Sequence, residues 1–171
     1  MKRKQKKHFL ARLQANGVAL KKVIGVIGAG MAADERTLAS AEAAGRLIAK
    51  GGAVLVCGGL GGVMEAAARG MKAEGGTTIG ILPQDKKEGA NPYIDIPIVT
   101  GFGEGRNVII VRTADALIAV GGEYGTLSEI AYALKMGKPV VGLNTWDIKG
   151  IMKAINEEEA VKMAFKAMNE T

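Results

Sequence analysis

The chain predicts an α/β fold: a Rossmann-like, doubly wound, mainly parallel sheet with helices on both faces. Short apolar, β-branched runs alternate with longer amphipathic ones almost to the end of the 171 residues. The short runs are apolar throughout, the pattern of strands buried on both faces of a parallel sheet. The 25 glycines have no fixed period and cluster just after those runs, where an α/β chain turns from strand to helix.

The elements follow in order. Val23–Ile27 is the first strand and Gly28-Ala29-Gly30 turns it. Asp34 is an N-cap for a helix through Lys50, with Leu38, Ala41, Gly45 and Ile48 near helical spacing, and Gly51-Gly52 stops it. Ala53–Cys57 is the second strand. Gly58-Gly59-Leu60-Gly61-Gly62 and a helix from Val63 to Lys72 come after it. Thr77–Leu82 is the third strand, ended by Pro83, and the polar stretch 84–93 is the candidate mobile loop. Ile94–Thr100 is a strand whose Pro97 marks an edge. Gly101–Gly105 leads to a helix from Arg106 to Thr113. Ala116–Val120 precedes Gly121-Gly122-Glu123-Tyr124-Gly125-Thr126-Leu127-Ser128-Glu129 and a helical pattern over Ile130–Met136. Pro139–Leu143 is the last strand and Glu157–Asn169 the last helix.

Charge divides the chain unevenly. Residues 1–22 hold eight Lys/Arg and no acid, leaving 15 basic against 17 acidic residues in 23–171. The formal charge of +6 therefore belongs to a basic leader, and 23–171 reads as a single nucleotide- or phosphate-binding domain. The leader reads as a solvated tail, with nucleic-acid or membrane contact as the alternative. The lack of an aromatic stacking pattern speaks against nucleic acid. No secretory h-region and no apolar run of spanning length occur, and Cys57 is alone, so a cytoplasmic setting and a buried core thiol are expected. One His and one Cys argue against a zinc site or a Cys/His nucleophile. Nothing marks a pyridoxal-phosphate lysine, and no metal or other cofactor is required.

Ligands of open α/β sheets bind beyond the carboxyl ends of the strands, where the turns 28–30, 58–62 and 121–125 should meet. Unpaired amides at a helix start, backed by the helix dipole, suit a phosphate, and Glu129 falls in the first helical turn beside it. Gly28-Ala29-Gly30-Met31-Ala32-Ala33 satisfies the dinucleotide fingerprint, but the second strand ends in Cys57-Gly58-Gly59 with no ribose-binding acid. An NAD-type domain thus remains an alternative. Plainer readings stand beside these: an i,i+4 ion pair for Glu65 and Arg69, a capping box for Thr126 and Glu129, and a surface role for Arg106.

Together, Val23–Gly30, Cys57–Gly70, Gly80–Pro83, Arg106-Asn107 and Gly122–Glu129 resemble the LOG-like superfamily, long mislabelled "lysine decarboxylase". Within it they resemble the molybdenum-cofactor-carrier-like branch. The resemblance implies a homodimer or homotetramer and a phosphorylated ligand, either molybdenum cofactor or a nucleoside monophosphate. It places the ligand at Gly28, Gly30, Gly58, Gly59, Gly61, Gly62, Met64, Glu65, Arg106, Asn107, Gly122, Tyr124, Gly125 and Thr126. The superfamily's LONELY GUY phosphoribohydrolases cleave nucleoside 5′-monophosphates to base and ribose 5-phosphate, with the motif Pro-Gly-Gly-x-Gly-Thr-x-x-Glu and an upstream arginine. On that resemblance the catalytic roles would fall on Glu129 and Arg106. The chain departs by lacking the proline, by carrying Glu123 for the second glycine, and by Glu65 and Asn107 in place of glycine and lysine. These departures match the carrier-like branch, which binds its cofactor without turning it over. Lysine decarboxylation is rejected.

Overall fold

A computed structural model describes Gly17 and residues 20–170. Residues 2–12, which hold most of the basic leader, lie outside the described residues. Seven strands form one parallel sheet: β1 (Val23–Gly28), β2 (Val54–Cys57), β3 (Thr78–Leu82), β4 (Ile96–Val99), β5 (Ala116–Val120), β6 (Val140–Leu143) and β7 (Met152–Lys153). Their order is β4-β3-β2-β1-β5-β6-β7. The winding therefore reverses between β1 and β5, whose register runs from Ile24 opposite Ala116 to Gly28 opposite Val120.

Among the described residues, five helices cover the sheet: α1 (Glu35–Lys50), α2 (Val63–Ala73), α3 (Asn107–Thr113), α4 (Tyr124–Lys135) and α5 (Glu157–Glu170). Alternate strand residues feed two cores, because successive side chains of a strand point to opposite faces. Ile24, Val26, Leu55, Cys57, Ile118 and Val120 pack against α1, α2 and α5 through Ala41, Ala44, Ile48, Ala67, Met71 and Ala164. On the other face Ile27, Val56, Ile81, Leu117 and Ala119 meet α3 and α4 at Ile110, Val111, Ile130 and Ala133. Small residues dominate the α1–α2 contact, so the helices run close: a Cβ at Gly70 would strike the Glu42 carbonyl.

Several expectations hold in detail. Asp34 caps α1 by accepting from the Thr37 amide at 2.7 Å. Cys57 is fully buried, and its thiol is pushed up to about 11, chiefly by burial. Pro97 lies in β4, at the edge of the sheet.

Others need correction. A two-residue strand, β7, follows the run that reads as the last strand; it is too short for any periodicity to mark. Arg106 ends a 3₁₀ turn (Gly103–Arg106) ahead of α3 instead of lying inside that helix. Helix α4 starts at Tyr124 with Glu123 as N-cap, so Thr126 and Glu129 form no capping box and Glu129 stands in the second turn. Glu123 makes no side-chain cap bond, which removed the usual marker of a helix start.

The 84–93 loop contains a 3₁₀ turn at Lys87–Gly89 and is pinned at Asn91. The Asn91 amide donates to the Gly59 carbonyl at 2.8 Å and its Nδ2 to the Leu60 carbonyl at 2.9 Å. That loop therefore supports the second glycine turn directly.

Candidate functional site

The glycine turns following β1, β2 and β5 surround a cavity of about 270 Å³ at the point where the winding reverses. In an open α/β sheet this is where the strand ends leave a crevice between diverging connections. Gly28, Gly30, Gly58, Met64, Arg106, Asn107, Gly125, Thr126 and Glu129 all line it, with Leu60, Glu104 and Glu123.

The first two turns are clasped to each other. The Val63 amide donates to the Ala29 carbonyl at 3.0 Å. Gly62 holds φ +67°, and a Cβ there would run into the Gly30 carbonyl. Gly59, Gly61 and Gly62 do not line the cavity but shape the turn behind it. Glu65 also lies elsewhere, in a separate hollow with Met31, Leu38 and Arg69.

The expected Glu65–Arg69 pair is not made. Arg69 reaches across to Glu42 of α1, with Nη2 to Oε2 at 2.6 Å, and Arg46 binds the same carboxylate at 3.0 Å. Close helix packing brings Glu42 within reach of Arg69, and a carboxylate fixed by two guanidiniums wins over the i,i+4 neighbour. Hydrogen bonds from Arg69 and then Arg46 hold the Glu42 carboxyl below its ordinary value.

On the far wall, α4 begins. Its first intrahelical bond runs from the Leu127 amide to the Glu123 carbonyl at 2.9 Å. The amides of Tyr124, Gly125 and Thr126 have no acceptor within the helix, and Gly125 and Thr126 line the cavity. Asn107 is steadied by donating to Ser128 Oγ at 3.3 Å, and Ser128 Oγ donates to the Gly125 carbonyl at 2.7 Å. Gly122 and Tyr124 instead border an adjoining hollow with Trp146.

Arg106 and Glu129 are the buried charged residues of the site, each 6 % exposed. The guanidinium lies across Gly58, where a Cβ would stand 2.7 Å from its Cζ. Its Nε is buried with no hydrogen-bond partner. Nη1 comes within 4.0 Å of Glu129 Oε1, too far for a hydrogen bond. Burial pushes the Glu129 carboxyl up to about 8; Arg106 opposes that rise and Glu104 adds to it. At neutral pH Glu129 is thus mostly a neutral acid, and Arg106, a lining residue of the cavity, keeps its Nε donor unspent.

Sequence reasoning did not single out Glu104, Leu60 or Trp146. Glu104 could have been found from its place between Gly103 and Gly105, two residues before Arg106, and Trp146 from being the chain's one tryptophan.

The fold and its switch-point cavity define a Rossmann-like protein of the LOG-like superfamily. The model of the SLOG cluster4 family matches residues 21–171, and the chain belongs to that family. An uncharacterised protein of Archaeoglobus fulgidus is 55% identical over 139 residues, covering 81% of this chain and 91% of that protein. Among solved structures, the molybdenum cofactor binding protein of Rippkaea orientalis is 40% identical with a TM-score of 0.82, covering 86% of this chain and 97% of that one. The molybdenum cofactor carrier protein of Chlamydomonas reinhardtii is 38% identical with a TM-score of 0.80, covering 88% and 99%. No helix among the described residues is long and apolar enough to cross a membrane.

Proposed function

We propose that this chain is a cytoplasmic carrier that binds a phosphorylated, nucleotide-like ligand, with molybdenum cofactor as the cargo, and does not turn it over. The observation that carries this reading is Arg106: a buried arginine, its Nε without a partner, that lines the cavity where α4 offers unpaired amides. A buried guanidinium with unmet donors is costly unless an anion completes it. A phosphate accepts from both the fork of Arg106 and the helix-start amides, and the dipole of α4 favours its charge. The likeness to two molybdenum cofactor binders at about 40% identity supports a pterin phosphate as that anion.

The acidic neighbours do not undo this. Glu123 and Glu104 are exposed, and like charges in water at ~4 Å repel by only about 1 kcal/mol. Glu129, the buried one, is largely neutral at pH 7, so it adds little repulsion and presents a proton to an anionic oxygen.

The meeting of Glu129 with Arg106 gives a second reading some support, a nucleoside-monophosphate phosphoribohydrolase. That chemistry needs an ionised carboxylate to stabilise oxocarbenium-like charge. A carboxyl raised to about 8 supplies little of it at neutral pH. Incubation with AMP distinguishes the two. The carrier reading expects no adenine, together with a raised melting temperature. Adenine release that Glu129→Gln abolishes would overturn it. An NAD-type domain is disfavoured because β2 passes from Cys57 to Gly58 without a ribose-binding acid, and NAD is expected to leave the melting temperature unchanged.

A homodimer or homotetramer completes the proposal. The edge strand β4 leaves Ile96, Ile98 and Val99 exposed, with Phe102 beside them, a surface suited to a second copy. Light scattering at micromolar concentration should give two or four chains per particle; a monomer would refute it.

A further inference from the structure

The 270 Å³ cavity lies below the range of about 300–1,000 Å³ that small-molecule ligands occupy. A ligand with both a phosphate and a bicyclic ring fills that volume and has an adjoining hollow to extend into. One adjoining hollow, of about 520 Å³, shares Glu123 and Gly125 with the cavity. The hollow holding Glu65 shares no lining residue with it.

The shared hollow is walled by Tyr124 and Trp146. Their ring centroids are 6.0 Å apart with planes at 37°, and Trp146 Nε1 donates to the Glu123 carbonyl at 3.3 Å. Trp146 is 36 % exposed and Tyr124 81 %. In a chain with only 4% aromatic residues, an indole anchored to the backbone braces a tyrosine whose ring stands open to solvent. A braced ring loses little freedom on binding and offers a planar apolar face beside the helix-start amides.

We propose that Tyr124, braced by Trp146, is a stacking platform for the planar heteroaromatic ring, purine or pterin, of the ligand whose phosphate lies at Arg106. The inference rests on the reading of the cavity as a phosphate site. It adds which part of the ligand is selected and by which side chains.

Trp146 is the only tryptophan, so its emission reports the platform directly. AMP, a pterin carrying a phosphate, and ribose 5-phosphate are titrated against the full chain, with calorimetry giving each affinity. Ring-bearing ligands should change Trp146 emission and bind at least tenfold more tightly than ribose 5-phosphate, which should leave the emission unchanged. Tyr124→Ala should cut the preference for ring-bearing ligands about tenfold, and Tyr124→Phe should restore it. Tyr124 is exposed, so neither change threatens folding. If ribose 5-phosphate binds as tightly as the other two, with or without the tyrosine ring, the platform falls and the phosphate site stands. If none of the three binds, both readings fall. A shift of Trp146 emission on diluting the ligand-free protein would assign the rings to contact between copies and overturn the platform.

Discussion

Replacing Glu129 by glutamine removes the one buried carboxyl of the site and should change how stability depends on pH. In the folded protein burial raises this group from its ordinary 4.5 to about 8. Between those values the folded state holds a proton that the unfolded state has released. A raised carboxyl therefore contributes stability that is fully present below pH 4.5 and is lost as pH climbs toward 8. Binding one extra proton gives a slope of about 1.4 kcal/mol per pH unit, and between about pH 5 and pH 8 the loss totals roughly 3.5 kcal/mol. Glutamine fits the same space and has no proton to lose. Urea unfolding at pH 5, 6, 7 and 8 should show wild type losing stability along that slope and Glu129→Gln staying level relative to it, with m-values unchanged. Cys57 does not confuse the comparison, since its thiol is raised to about 11. Parallel curves for the two proteins would refute the claim that Glu129 is buried as a neutral acid.

Three further changes separate binding from folding. Gly58→Ala places a methyl on the Arg106 guanidinium, the far end of a flexible side chain, so phosphate affinity should fall about tenfold or more while the melting temperature barely moves; calorimetry with ribose 5-phosphate checks both. Gly62→Ala meets the Gly30 carbonyl and sits at φ +67°, so urea unfolding should show a loss of roughly 2 kcal/mol or more. Asp34→Ala removes the bond to the Thr37 amide and should cost about 1 kcal/mol in the same assay, with ligand affinity unchanged.

The parts of this structure legible from sequence are those set by local periodicity. The five central strand runs are apolar on both faces because helices cover both, and Asp34 announces α1 by its own side chain. The glycine turns were legible as a group because a parallel sheet must bring its strand ends together. What escaped depends on distant contacts. Arg69 chooses Glu42 because α1 packs close to α2, a fact no i,i+4 spacing contains. The burial of Arg106 follows from Gly58, 48 positions away in sequence, leaving room for its guanidinium. The start of α4 lies three residues before the one the sequence suggests, because Glu123 caps without its side chain while Thr126 and Glu129 imitate a capping box. Tyr124 and Trp146 are 22 residues apart and meet only through the connection after β6.

Equilibrium dialysis against molybdenum cofactor released from a molybdoenzyme, read as bound molybdenum per chain, puts Arg106 and its cavity to the test. With the cofactor near its dissociation constant, the wild-type protein should retain it and Gly58→Ala, with Arg106 displaced but the fold intact, should retain about a fifth as much or less. Equal retention by the two proteins, or none by the wild type, would contradict the assignment.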